Sequence, residues 1–248
     1  MRSRLVSCIA SCIALVCFAS AAVFLFSGST AHAQFAGATP TTTVHDAAPL
    51  KPPPGARVAI VEFEDMECPE CGRSNPILKA AAAQYHIPWI RHDFPLPFHA
   101  WSFQAAVYAR WFDTKSKKLG DDFRDAVFAN QNSIDAAAQS NPENSSGPTA
   151  EATAAIRDFA GKFASQHGIA LPFVIDPQKK LAGLVQADLD LGNRVGIQHT
   201  PTIWVVTNKR SGTPYIEVTD LNRLYSIIDS ALAETRSEAG PHHGAAGD

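Results

Sequence analysis

The β-strand signal of this 248-residue chain falls in two windows held apart by a long helical stretch, and that spacing restricts the fold more than any other feature. The first window holds two short apolar runs, residues 57–63 and 88–94, and the second holds 202–207 and 215–219. From 99 to 195 apolar residues recur at helical intervals instead: Trp101, Tyr108 and Trp111, then Phe123, Val127 and Phe128, then Ile156, Phe159 and Phe163, then Leu181, Leu184 and Leu189. These groups predict four helices, with the polar run beginning Asn141-Pro142-Glu143 separating the second from the third. The short run 171–175 is ambiguous.

Inside the first window, Ile77, Leu78 and residues 80–85 favour a helix that Pro76 should kink or break. In the second, Ser211-Gly212 supplies a turn between two strands, and Asp220 caps a last helix carrying Leu221, Leu224, Tyr225, Ile228 and Leu232. The order β-α-β, helical block, β-β-α predicts an α/β fold. With the block removed, a compact sheet flanked by helices remains. A hydrophobic content of 46% is enough to bury a core without disulfide staples.

Five cysteines sort themselves by position. Cys8, Cys12 and Cys17 lie in the apolar stretch 5–26, which Arg2 and Arg4 precede and Ala31-His32-Ala33 follows. That is the layout of a secretory signal with Gln34 as the first mature residue, although the apolar stretch is also long enough for an uncleaved membrane anchor. Either way the arginines hold the N-terminus in the cytoplasm and send the rest across, so the chain is expected to be exported to a periplasmic or other extracytoplasmic space. Residues 34–55, rich in Ala, Thr and Pro and ending Lys51-Pro52-Pro53-Pro54-Gly55, predict an extended linker. The small, polar stretch 235–248 predicts a disordered tail. A net charge of −3 with no basic cluster beyond Lys115-Ser116-Lys117-Lys118 argues against nucleic acid as a partner.

Cys68 and Cys71 remain, enclosing Pro69 and Glu70 directly after the strand-like run Val58-Ala59-Ile60-Val61-Glu62-Phe63. Open α/β sheets gather their chemistry at such strand ends. A crosslink closing so small a loop removes little entropy from the unfolded chain, so scaffolding is a poor reason for the pair. Reversible thiol-disulfide chemistry is a better one, and an oxidising compartment suits it. His86, His92 and His99 form no second half of a zinc site, with His99 given a structural place, and Gly72 stands where haem attachment needs histidine. No metal and no dissociable cofactor is expected.

Over residues 56–233 the chain resembles the DsbA-like branch of the thioredoxin superfamily, whose members insert a helical domain into a thioredoxin fold. Two motifs carry the resemblance: Val61-Glu62-Phe63-Glu64-Asp65-Met66-Glu67-Cys68-Pro69-Glu70-Cys71, and Thr200-Pro201 just before the strand-like Thr202-Ile203-Trp204-Val205-Val206. The resemblance implies a thioredoxin fold, a central mixed sheet flanked by helices, with an inserted all-helical domain. Its parts would be 1–33 (signal or anchor), 34–55 (linker), 56–98 (first thioredoxin part), 99–195 (helical insertion), 196–234 (second thioredoxin part) and 235–248 (tail). It also implies roles: Cys68 the attacking thiol, Cys71 the resolving thiol, Glu62 a buried proton carrier, and Pro201 a cis-proline that with Thr200, Pro69 and Glu70 meets the substrate. Glu70 departs from the strongly oxidising relatives, which carry histidine there, and its charge should disfavour the Cys68 thiolate.

The implied activity is disulfide exchange with substrate proteins, with net oxidation favoured and a quinone-linked membrane protein as reoxidant. The rivals are a reductase or isomerase kept reduced by a membrane electron donor, and a chaperone using the thiolates as metal ligands.

Overall fold

The computed structural model describes residues 41–143 and 146–237. The apolar segment, its Ala31-His32-Ala33 site and residues 238–248 lie outside them. Among the described residues no helix is long and apolar enough to cross a membrane.

Four strands form one mixed sheet in the order β2-β1-β3-β4: β1 (Val58–Glu64), β2 (Trp89–Asp93), β3 (Thr202–Thr207) and β4 (Tyr215–Glu217). β1 runs parallel to β2 and antiparallel to β3, and β3 is antiparallel to β4. All seven residues of β1 are buried, which is why its sequence is nearly continuously apolar rather than alternating. Val58 and Ile60 face helices α1 (Pro69–Tyr85) and α7 (Leu224–Ser237), where Leu78, Ala81 and Ile228 pack on them. Ala59, Val61 and Phe63 face the opposite way, onto Phe94, Trp204 and Val195. Each large apolar side chain so buried contributes about 1.5–3 kcal/mol.

Pro76 does not break α1, which runs through it with the proline on the exposed side. The region 99–195 holds five helices rather than the expected four: α2 (Ser102–Asp113), α3 (Lys117–Ala129), α4 (Gln131–Ala138), α5 (Ala150–Gln166) and α6 (Lys180–Val195). α4 left little pattern because Ile134 is its one large buried apolar residue and alanines fill the rest. Residues 171–175 form no regular element; Phe173 is exposed and lies under the Arg157 guanidinium.

Two further departures concern the expected parts. α6 is not simply part of a separate insert. Its N-terminal turns, with Leu181 and Val185, join the helical core, while Leu189 and Val195 pack on the sheet. Gly192 makes that docking possible, since a Cβ there would meet the Phe94 ring at 2.5 Å. Residues 41–55 do not stand off as a linker either. Leu50 is buried against the sheet, His45 donates its N–H to the Val195 carbonyl at 2.9 Å, and the backbone and hydroxyl groups of Thr41 and Thr42 donate to the Glu217 carboxylate. At the other end, α7 continues to Ser237, a little into the stretch read as tail.

Candidate active site

β1 ends at Glu64, and Cys68 is the N-cap of α1 with Pro69 in the first turn, where the ring's fixed φ suits a helix start. The helix thus aims its free N–H groups at the first sulfur. Cys68 is 7% exposed and Cys71 fully buried; both are free thiols. The Thr200–Pro201 peptide is cis, and the Thr200 carbonyl accepts the Cys68 thiol at 3.3 Å. The end of β1, the start of α1 and the turn before β3 therefore meet at one place. The chain brings Cys68, Pro69, Cys71 and Thr200-Pro201 together there, with Glu62 beneath.

The two thiols are electrostatically unequal. The Cys68 thiol is brought down to about 6, first because the Cys71 thiol donates to its sulfur, with the Cys71 backbone N–H and the Thr200 side chain adding to this against the opposing effects of burial and Asp65. Among the described residues the buried Thr200 hydroxyl has no hydrogen-bond partner. Cys71 is pushed well above the ordinary range, by burial first and then by that same hydrogen bond and the charges of Cys68 and Glu62.

Glu62 sits on the α1 face of β1 and is almost wholly buried. Burial, then the neighbouring Glu64 charge, raises its carboxyl to about 8, although Arg91 and hydrogen bonds from Trp89 Nε1 (3.0 Å) and Ser74 Oγ (3.4 Å) oppose this. Glu64 is tied to Arg91 at 2.8–3.1 Å and faces Arg124 at 3.4 Å, so a buried ionic cluster braces the sheet against α3. Arg124 also reaches Asp93 on β2 at 3.3 Å.

Glu70 behaves differently from expectation. Its carboxylate is exposed and ion-paired with Arg73 one turn along, through Arg73 Nε at 2.9 Å and a second contact from the guanidinium. The acid that opposes the Cys68 thiolate is instead Asp65. Asp65 is one of several site residues that sequence reasoning missed. Its N–H donates to Cys71 Sγ at 3.4 Å, and its carboxylate accepts from Leu96 N and His99 Nδ1, each at 2.6 Å, and from Ser102 Oγ. Glu67 accepts the N–H groups of Trp101 (2.7 Å) and Ser102 (3.1 Å), acting as an anionic cap on α2. Gln131 at the start of α4 donates to the carbonyls of Met66 (2.9 Å) and Cys68 (2.8 Å). Gly72 gives it room, because a Cβ there would lie 2.3 Å from Gln131 Oε1. The available signal was the acidic Asp65-Met66-Glu67 run beside the cysteines, whose partners are distant in sequence. Among the described residues no group of three or more His, Cys, Asp or Glu could hold a metal.

With this geometry in place, the family model for thioredoxin matches residues 53–229. The chain belongs to the thioredoxin family. Within it, the helical domain set between β2 and β3 gives the chain the fold of DsbA-type proteins. Wolbachia pipientis alpha-DsbA1 shares its fold with a TM-score of 0.58 at 17% identity, over 76% of this chain and 92% of that one. Pseudomonas aeruginosa DsbA2 aligns with a TM-score of 0.48 at 20% identity, over 76% and 94% of the two chains. Proteus mirabilis ScsC in a compact conformation aligns at 0.46 and 22%, over 75% and 73%. No curated protein matches the chain.

Proposed function

We propose that the chain is an exported enzyme that exchanges disulfides with substrate proteins through Cys68 and Cys71, in the direction of net oxidation. The observation that carries this reading is the inequality of the two thiols. A substrate thiolate attacks Cys68 Sγ of the oxidised pair, the Cys68–Cys71 bond breaks, and Cys71 leaves with the electron pair. Glu62, which holds its proton at pH 7, is the acid that protonates it. A second substrate thiolate then attacks the substrate sulfur of the mixed disulfide, and Cys68 departs as a thiolate. Two electrons pass to the enzyme, and the substrate gains a disulfide.

A thiol brought from 9.0 to about 6 is about 90% ionised at pH 7. The reduced state gains about 1.4 kcal/mol by this, equivalent to about 30 mV towards a stronger oxidant. The Arg73 partner of Glu70 supports the same direction, since it offsets the charge that would oppose it. Thr200-Pro201 and Pro69 would form the substrate contact, with the proline presenting a backbone edge without an N–H. A quinone-linked membrane protein would reoxidise the pair.

The test is a pair of variants and a titration. Cys68→Ser should abolish peptide oxidation, and Cys71→Ser should accumulate mixed disulfides on Cys68; accumulation on Cys71 instead would overturn the roles. Equilibration with glutathione should give a potential above thioredoxin's approximately −270 mV. A value at or below it would replace the oxidase by a reductase.

A further inference from the structure

We propose that His99, held by Asp65, is a positioning residue for the Cys68 thiolate: it brings from outside the Cys-x-x-Cys motif the positive charge that Pro69 and Glu70 do not provide. The inference rests on the reading of Cys68 as the reactive thiol.

His99 lies between β2 and α2, remote in sequence from the cysteines, and is 5% exposed. Its Nδ1 is 2.6 Å from Asp65 Oδ2. Asp65 is also the residue whose carbonyl accepts the Cys68 N–H at 3.1 Å and whose N–H donates to Cys71 Sγ at 3.4 Å. One residue therefore holds the imidazole and both thiol-bearing residues in fixed relation. The ionisable groups that face His99 are Asp65, Glu67 and Cys68 from the β1–α1 connection and Asp135 from α4, with the Phe98 ring closing one side at 4.7 Å. Every one of them is an acid.

A ring so placed binds its proton more tightly than a free imidazole. Burial favours the neutral imidazole, but the Asp65 hydrogen bond and the charges of Asp65, Glu67 and the Cys68 thiolate outweigh it and raise His99 above its ordinary value. Asp65 by itself disfavours the thiolate, so the imidazolium on Asp65 offsets a penalty built into the site. The coupling is reciprocal by linkage: whatever the Cys68 charge adds to proton binding at His99, the proton on His99 adds to ionisation at Cys68. When the disulfide forms, the thiolate charge disappears. His99 should then bind its proton less tightly, so the redox state of the pair is read at the histidine.

The experiment follows the His99 imidazole signals by NMR from pH 4 to 9 in the full chain, reduced and oxidised, without substrate. Oxidation should lower the His99 midpoint by about half a pH unit or more, and reduced Cys68→Ser should match the oxidised chain. Equal midpoints in all three would overturn the proposal. His99→Gln keeps a donor for Asp65 while removing the charge; ultraviolet thiolate absorbance should show at least a threefold rise in the proton concentration-independent affinity of Cys68 for its proton, and an unchanged thiolate midpoint would also overturn it. These readings need no turnover. Failure of Cys71→Ser to trap substrate would sink the exchange reading while leaving the His99 result separately decided.

Discussion

Replacing Glu62 by glutamine should stabilise the reduced chain, by an amount that grows with pH. The side chain is buried with only Trp89 Nε1 and Ser74 Oγ as hydrogen-bond partners, and glutamine can serve both. Burial and the Glu64 charge move the carboxyl from 4.5 to about 8. Between those values the folded chain retains a proton that the unfolded chain has released, so folding binds protons and stability falls as pH rises. At pH 4 both states are largely protonated and the cost is near zero. At pH 7 it is about 3 kcal/mol, and above pH 8 it approaches about 5 kcal/mol. Glu62→Gln removes this cost and should therefore unfold at higher urea than the parent by a margin that opens from pH 4 to pH 9. The assay is urea unfolding of both chains under reductant at several pH values. A pH-independent difference, or a variant less stable than its parent at pH 9, would refute the burial argument. The same variant should form mixed disulfides from the oxidised pair more slowly, because the departing Cys71 loses its proton donor.

Thiolate absorbance of the reduced chain should titrate with a midpoint near 6 for Cys68, and Cys71→Ala should raise it, since the leading cause of the low value is the Cys71 thiol hydrogen bond. Gln131→Ala should cost about 1–2 kcal/mol by freeing two carbonyls at the site. Gly72→Ala should cost a similar amount, and a double-mutant cycle between them should be strongly non-additive, because the added methyl acts by displacing Gln131. Arg124→Ala removes one of the two arginines on each of the buried carboxylates, leaving Glu64 with Arg91 and Asp93 with Arg110, and should destabilise by about 3 kcal/mol in thermal or urea unfolding. Gly192→Ala should destabilise by about 1–3 kcal/mol through overpacking against Phe94.

Much of this was legible in order and spacing. The strand-like 57–63 and the Cys-Pro-Glu-Cys run that follows it placed the reactive thiols at a strand end, because a short apolar run and a helix start are local signals. Thr200-Pro201 stood out through its place before the strand at Thr202. α4 was missed because an eight-residue helix packed largely through alanines has no distinctive periodicity. The docking of residues 41–55 was missed because proline-rich composition limits local structure but says nothing about a surface waiting to receive Leu50.

The electrostatics were decided by the fold. In sequence, Glu70 is the charge set between the two cysteines, where it is expected to oppose the thiolate, yet it points to solvent beside Arg73. Asp65 does the opposing, and its partner His99 comes from beyond β2. Sequence alone determined the kind of chemistry, because it rests on residue types at fixed short separations along a continuous chain. Tertiary structure alone decided how readily that chemistry runs, because charge interactions depend on distance and burial, and folding sets both between residues that the sequence keeps far apart.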